Sequence, residues 1–315
     1  MNHDPFDIRF VRLRLHLEAR EPLKLPPYKG STFRGAFGVS FKRTVCIVRH
    51  RECERCLIRS QCVYPYVFDT PVSEGPGIFR GFRDAPHPYV IEPPEEDKTD
   101  YAPGERMQIG LVLVGKAVGY LPYFIYTFSR MGETGIGRGR GKCALLSAEG
   151  LTPDGTWQPA YDGEKETLRN DIQALKARDL PPLGTDARIG LRFLTPTQIK
   201  ADGALQDELD FPTLVRGLLR RVSSLAAFHC GGSPDLDYRG LVAKADEVRT
   251  AAHDLRWYDW ERYSNRKKQR MNMGGFIGNV TFEGDLTSFR PLLTLGAHLH
   301  VGKGTSFGLG QYHIA

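Results

Sequence analysis

Two hydrophobic periods alternate along this chain, and they come in the same order twice. From Phe6 to Ala19, FDIRFVRLRLHLEA alternates apolar and polar side chains, with Phe10, Leu13, Leu15 and Leu17 largely on one side, which predicts a half-buried strand. Pro26 and Pro27 end it. Beyond them Phe33, Phe37 and Phe41 recur every four residues and predict a helix that buries an aromatic ridge, with Ser31 or Thr32 as its cap and Arg34 and Lys42 off the ridge. HPYVIE (87–92) and ERMQIGLVLVG (105–115) follow as strands, then YLPYFIYTFSRMG as a helix and KCALLSA as a closing strand. Strand, helix, strand, strand, helix, strand is the ferredoxin-like order.

Residues 150–185, rich in Pro, Asp and Gly around one short charged helical stretch, predict a connector. The second half repeats the plan. DARIGLRFLTPTQI (186–199) reads as a strand and 211–229 as a strongly periodic amphipathic helix. LRWYDWERYS (255–264) and GFIGNVTFEG (275–284) read as a hairpin, and 286–300 as the last helix. The expected fold is α+β: two tandem ferredoxin-like (RRM-like) domains over 1–149 and 186–315, joined by the connector.

Each half closes with a helix, a Gly-rich loop and a short strand. The loops are TGIGRGRGK (134–142), with Arg138, Arg140 and Lys142 between its glycines, and the stretch of Gly302, Lys303, Gly304, Gly308 and Gly310 near the C-terminal end. Glycine accepts positive φ and lets a bulky ligand approach the main chain, so a repeated loop of this kind suggests something to hold; a tight turn into the last strand is the alternative.

Composition adds little until its distribution is considered. The chain of 315 residues is 41% hydrophobic and 25% charged, with no apolar run of membrane-spanning length. MNHDPFDIRF lacks the basic-then-apolar order of a secretion signal, so the expectation is a cytoplasmic protein with no membrane partner. A net charge of +6 and a pI of about 9.0 suit an anionic partner without requiring one. The cations gather beside glycine, in RGRGK (138–142) and in RKKQR (266–270), which contributes Arg266, Lys267, Lys268 and Arg270.

Four of six cysteines fall within CIVRHRECERCLIRSQC, as Cys46, Cys53, Cys56 and Cys62. Thiols this dense in a reducing compartment usually hold a metal. A closed structural zinc site is the first expectation, an iron–sulfur cluster the second and unligated thiols the third. His50 lies inside the loop and could replace a cysteine; Cys143 and Cys230 are expected to be plainly buried.

PPYKGSTFRGAFG, the four-cysteine segment ending CVYPYVF, GIGRGRGKC, RYSNRKKQRMNMGGFIGNVTFEGDL and LGAHLHVGKGTSFGLGQY together resemble the CRISPR-associated endoribonucleases of the repeat-associated mysterious protein superfamily. The likeness reaches both ends and the middle of the chain. It implies two ferredoxin-like domains that bind a CRISPR repeat, partner of precursor crRNA processing, and cut it once without a catalytic metal. The cysteine insertion looks like the mark of one branch, and KGSTFRG alone would also fit a non-cleaving RNA-binding subunit of a CRISPR effector, the rival reading. Other effector subunits are then expected partners.

Metal-free RNA cleavage needs a base for the 2′-hydroxyl proton, cations for the phosphorane and an acid for the leaving 5′-oxygen. The resemblance places these after the first strand and along the first helix, where this chain offers Tyr28, Lys29 and His50 as catalytic residues and Arg34 and Lys42 as RNA contacts. Both Gly-rich loops then become phosphate cradles, with Lys303 as a point charge. A zinc hydrolase at the cysteines does not fit, because four thiolates leave no open coordination position.

Overall fold

The computed structural model of the protein describes residues 6–49, 52–70, 85–201, 204–205, 209–232, 236–264 and 269–315. Alternation in the first strand becomes β1 (Phe10–Ala19), in which Leu13, Leu15 and Leu17 are fully buried. The period-four ridge becomes α1 (Gly30–Val45), with Phe33, Phe37 and Phe41 also fully buried. Burial of each such ring stabilises the fold by about 1.5–3 kcal/mol. The expected cap is corrected: Lys29 is the residue before the helix, and no side chain there accepts from the first turn.

β2 (Tyr89–Glu92), β3 (Arg106–Val114), α2 (Leu121–Thr134) and β4 (Cys143–Leu151) complete this half. All neighbours are antiparallel, in the order β2-β3-β1-β4, with Leu13 opposite Leu111 in β3. Both helices lie on one face, where Phe37 packs against Phe124 and Phe128 of α2. Within 150–185 the expected helical stretch is replaced by strands Trp157–Asp162 and Thr167–Leu168, which extend the sheet beyond β4.

The second half has β5 (Arg188–Thr197), α3 (Phe211–His229), β6 (Arg249–His253), β7 (Gly275–Glu283), α4 (Arg290–Leu299) and β8 (Tyr312–Ile314). Its sheet order, β6-β7-β5-β8, repeats that of the first half. The Asp210 carboxylate caps α3 by accepting from the Thr213 N–H at 2.7 Å. The expected hairpin is only partly present. Arg256–Tyr258 does pair with the start of β7, but Glu261–Ser264 turns back to pair with Gln269–Asn272, and β6 is the main partner of β7.

Phe10 does not share the side of Leu13. With Val90, Val112 and Val114 it joins an apolar cluster that includes the core of the second domain. A polar cluster reinforces that junction: Arg12 donates to Glu92 at 3.1 Å and contacts His298 Nδ1 at 3.1 Å, while His300 Nε2 lies 2.9 Å from the other oxygen of Glu92. Burial alone would raise the Glu92 pKa, yet Arg12 and His300 bring it down to about 2. No helix among the described residues is long and apolar enough to cross a membrane.

Candidate nucleic-acid interface

The outer face of α1, the first Gly-rich loop and the C-terminal loop enclose an open cleft of about 1630 Å³. Seven lysine and arginine side chains but only three acidic ones line it among the described residues, so its field attracts an anion. Arg34 and Lys24 stand on the N-terminal side, Arg138 and Arg140 on the Gly-rich loop, and Arg262 on the strand Glu261–Ser264.

At the floor, Arg34 is the organising side chain. Its Nε donates to Ser306 Oγ at 3.1 Å, and an NH2 nitrogen donates to His87 Nε2 at 3.1 Å. Its guanidinium lies 4.4 Å from the centre of the Phe307 ring, and that of Arg262 lies at the same distance. Two like charges are thus gathered on one aromatic ring. Nε of Arg262 has no hydrogen-bond partner among the described residues, while the Val67 backbone stands by His87 and Arg34 by the Tyr89 hydroxyl, in contacts too poorly aligned to satisfy Nδ1 and the phenol in full. All three belong to this cluster, since His87 stacks on Tyr89 at 5.7 Å. Two guanidiniums on one ring, with Nε of Arg262 unpartnered, describe a seat for an oxyanion.

Burial first, then Arg34 and Arg221, hold the His87 pKa at about 3. The imidazole is therefore neutral at physiological pH. Because an arginine can only donate, its contact leaves Nε2 as the acceptor and puts the proton on Nδ1.

The expected catalytic residues fare differently. Tyr28 donates its hydroxyl to the Phe307 carbonyl at 2.9 Å and packs 4.5 Å from the Trp260 ring. Burial, then Tyr258 and Glu92, push its pKa well up, so it is a latch on the C-terminal loop. The catalytic expectation for Lys29 is corrected: the residue is fully buried and its ammonium donates to the carbonyls of Pro27 and Glu96. Burial lowers its pKa against the opposing pull of Glu96 and Asp97, and its position ties the entry of α1 to the loop after β2. His50, Arg266, Lys267 and Lys268 lie outside the described residues. Lys42 lies beside the cleft, in a neighbouring groove that it shares with Cys46. Lys142 and Arg270 are exposed and paired with Glu21 at 3.4 Å and Glu261 at 3.7 Å.

Gly302, Gly304, Gly308 and Gly310 all have positive φ, but the bareness of their loop serves the protein's own packing. A Cβ on Gly308 would stand 2.4 Å from Cδ of Pro93, just past β2. Reciprocally, a Cβ on Gly30 would stand 2.0 Å from the Phe307 carbonyl oxygen. The main chains of the two domains meet here too closely for side chains, so the expected phosphate cradle is corrected to a clasp. Lys303 is exposed beside it. The first Gly-rich loop keeps Arg138 and Arg140 exposed to the cleft.

Cys143 is buried, with its thiol pushed up to about 12, and Cys230 is partly buried. Cys46, Cys53, Cys56 and Cys62 are free thiols around one small cavity. Among the described residues no three His, Cys, Asp or Glu side chains are already arranged to hold a metal ion.

Comparison with known proteins agrees with this architecture. Residues 8–173, more than half of the chain, match the AF_1859 N-terminal domain, and residues 191–312 match the CRISPR-associated endoribonuclease Cas6. An uncharacterised protein of Archaeoglobus fulgidus is 23% identical over 98% of this chain and 99% of its own. Among solved structures, a Cas6 product complex has a TM-score of 0.60 at 15% identity, covering 97% of this chain and all of that one. A Thermus thermophilus Cas6 has a TM-score of 0.56 at 14% identity, covering 98% and 99%. At these identities the structural likeness speaks for the fold, while the two domain matches account for nearly the whole chain: it belongs to the family defined by the AF_1859 N-terminal domain, and its C-terminal part matches the CRISPR-associated endoribonuclease Cas6 model.

Proposed function

We propose that this endoribonuclease lays a strand of CRISPR repeat RNA along the cleft, with the scissile phosphate between Arg34 and Arg262, and cuts it by attack of the adjacent 2′-hydroxyl. The observation that carries this is the convergence of the Arg34 and Arg262 guanidiniums on the Phe307 ring, beside His87, on the lining of the cleft. The guanidiniums stabilise the charge that grows on the phosphorane. Once Arg34 turns to the phosphate, Nε2 of neutral His87 is free to take the 2′-hydroxyl proton. As the 2′-oxygen bonds to phosphorus the P–O5′ bond breaks and the 5′-oxygen takes a proton from solvent, giving a 2′,3′-cyclic phosphate and a 5′-hydroxyl, and no step requires a metal. Solved relatives include Cas6 product complexes and a Cas6-RT-Cas1–Cas2 complex, which support repeat RNA and further CRISPR proteins as partners. The working compartment is the cytoplasm.

The test is a single-turnover assay at saturating enzyme in EDTA, with parent and His87→Ala on repeat RNA. The parent should yield one discrete product, and a 2′-deoxy sugar 5′ of the cut should abolish it. His87→Ala should cut about a hundredfold more slowly or worse, with affinity little changed. Parental cleavage by His87→Ala removes it from the chemistry, and binding without any cut favours the non-cleaving RNA subunit.

A further inference from the structure

The segment from Cys46 to Cys62 has no buried residue among those described. Its short turns, Cys53–Arg55 and Arg59–Gln61, bury nothing, and Ile47 and Leu57 are 81% and 101% exposed. Ordering a backbone costs about 1–2 kcal/mol per residue, and here no hidden apolar surface offsets it. What the segment does share is one small cavity of about 10 Å³, lined in part by all four cysteines. No three of these thiols stand at ligand spacing among the described residues, but the backbone turns sharply beside them. Cys56 N–H donates to the Cys53 carbonyl at 3.3 Å, and Cys62 N–H to that of Arg59 at 3.3 Å, so three of the four cysteines sit at the ends of two tight turns bordering the same cavity.

We propose that Cys46, Cys53, Cys56 and Cys62 hold one zinc ion as a closed tetrathiolate. On binding, four S–H protons pass to solvent as four Zn–S bonds form, and no coordination position stays open, so the ion is structural. Cys46 immediately follows α1 and Cys62 immediately precedes the helix Val63–Phe68. The ion therefore splices these two elements, and it holds Arg43 of α1 and Arg59 of the second turn on the cleft wall. This second role rests on the cleft being the RNA site.

Metal analysis of the full chain purified from zinc-replete medium should find about one zinc per protein. Cobalt(II) in its place should show the intense visible bands of a tetrahedral thiolate site. Cys56→Ser should lose the metal and Cys56→His should keep it. Metal-free parent protein, an iron-containing brown protein, or Cys56→Ser with full zinc overturns the site. For the coupling, zinc-stripped protein with an unchanged far-ultraviolet spectrum should bind repeat RNA at least tenfold more weakly. Arg43→Ala and Arg59→Ala should each keep zinc and lower the salt slope of binding by roughly one unit. Equal affinity with and without zinc overturns the coupling. Metal content is read without RNA, so failure of the site leaves the cleavage reading intact, and a zinc protein that never binds repeat RNA fails the other way.

Discussion

The hydroxyl of Tyr28 and the backbone carbonyl of Phe307 are 2.9 Å apart, a bond that reaches from the approach to α1 into the C-terminal loop. It fixes the loop that supplies Ser306 and Phe307 to the Arg34 cluster. Tyr28→Phe keeps the ring on Trp260 and removes only this bond. Denaturant unfolding should show a loss of about 0.5–1.5 kcal/mol, and single-turnover cleavage should slow only a few-fold. A hundredfold loss at parental stability would make the hydroxyl an acid or base after all.

Gly308→Ala tests the clasp. The new methyl would meet Pro93 at 2.4 Å in a backbone with φ of +82°, so both clash and strain oppose it. The expected cost is about 2–5 kcal/mol, read as a lower thermal midpoint in the absence of RNA. Unchanged stability with weakened RNA binding would restore the phosphate-cradle reading of this loop.

The low pKa of His87 makes both stability and binding depend on pH. Its folded value, about 3, lies below the ordinary 6.5, so the unfolded chain binds more protons between them and stability falls as pH drops through that window. A phosphate against Arg34 offsets the cationic field and raises the pKa. RNA binding at pH values not far above 3 should therefore take up protons, visible by calorimetry in buffers of different ionisation heat, and His87→Gln should remove most of the uptake, while at neutral pH the imidazole stays uncharged because burial persists.

Arg140 and Lys142 separate cleft cations from surface ones. Arg140 has φ of +54°, which glycine adopts without strain, so Arg140→Gly removes the charge alone. It should lower the slope of log affinity against log salt by roughly one unit. Lys142→Ala, outside the cleft lining and paired with Glu21, should leave the slope unchanged.

The local parts of this protein were legible in its sequence. The Phe33, Phe37 and Phe41 ridge and the boundaries of α3 rest on contacts along one element, where period alone decides burial. β6 was missed because RTAAH is mostly exposed and carries no apolar alternation, being placed by its pairing with β7. The cleft floor was hidden for a similar reason. His87 sat in a recognised strand segment, but its role comes from Arg34, 53 positions away, and from a loop that no local pattern could bring near. Lys29 misled because the resemblance places reactive residues in the loop after the first strand, while its ammonium is held by two carbonyls.

The contact between Arg34 and Ser306 spans 272 positions, which sets an order of events during synthesis. A chain emerging from the ribosome completes α1 and exposes Arg34 long before Ser306 and Phe307 exist. Until they arrive, Arg34 has neither its hydroxyl partner nor its aromatic support, and Arg262 has no shared ring. The Arg34 cluster is thus assembled only when translation has passed residue 307.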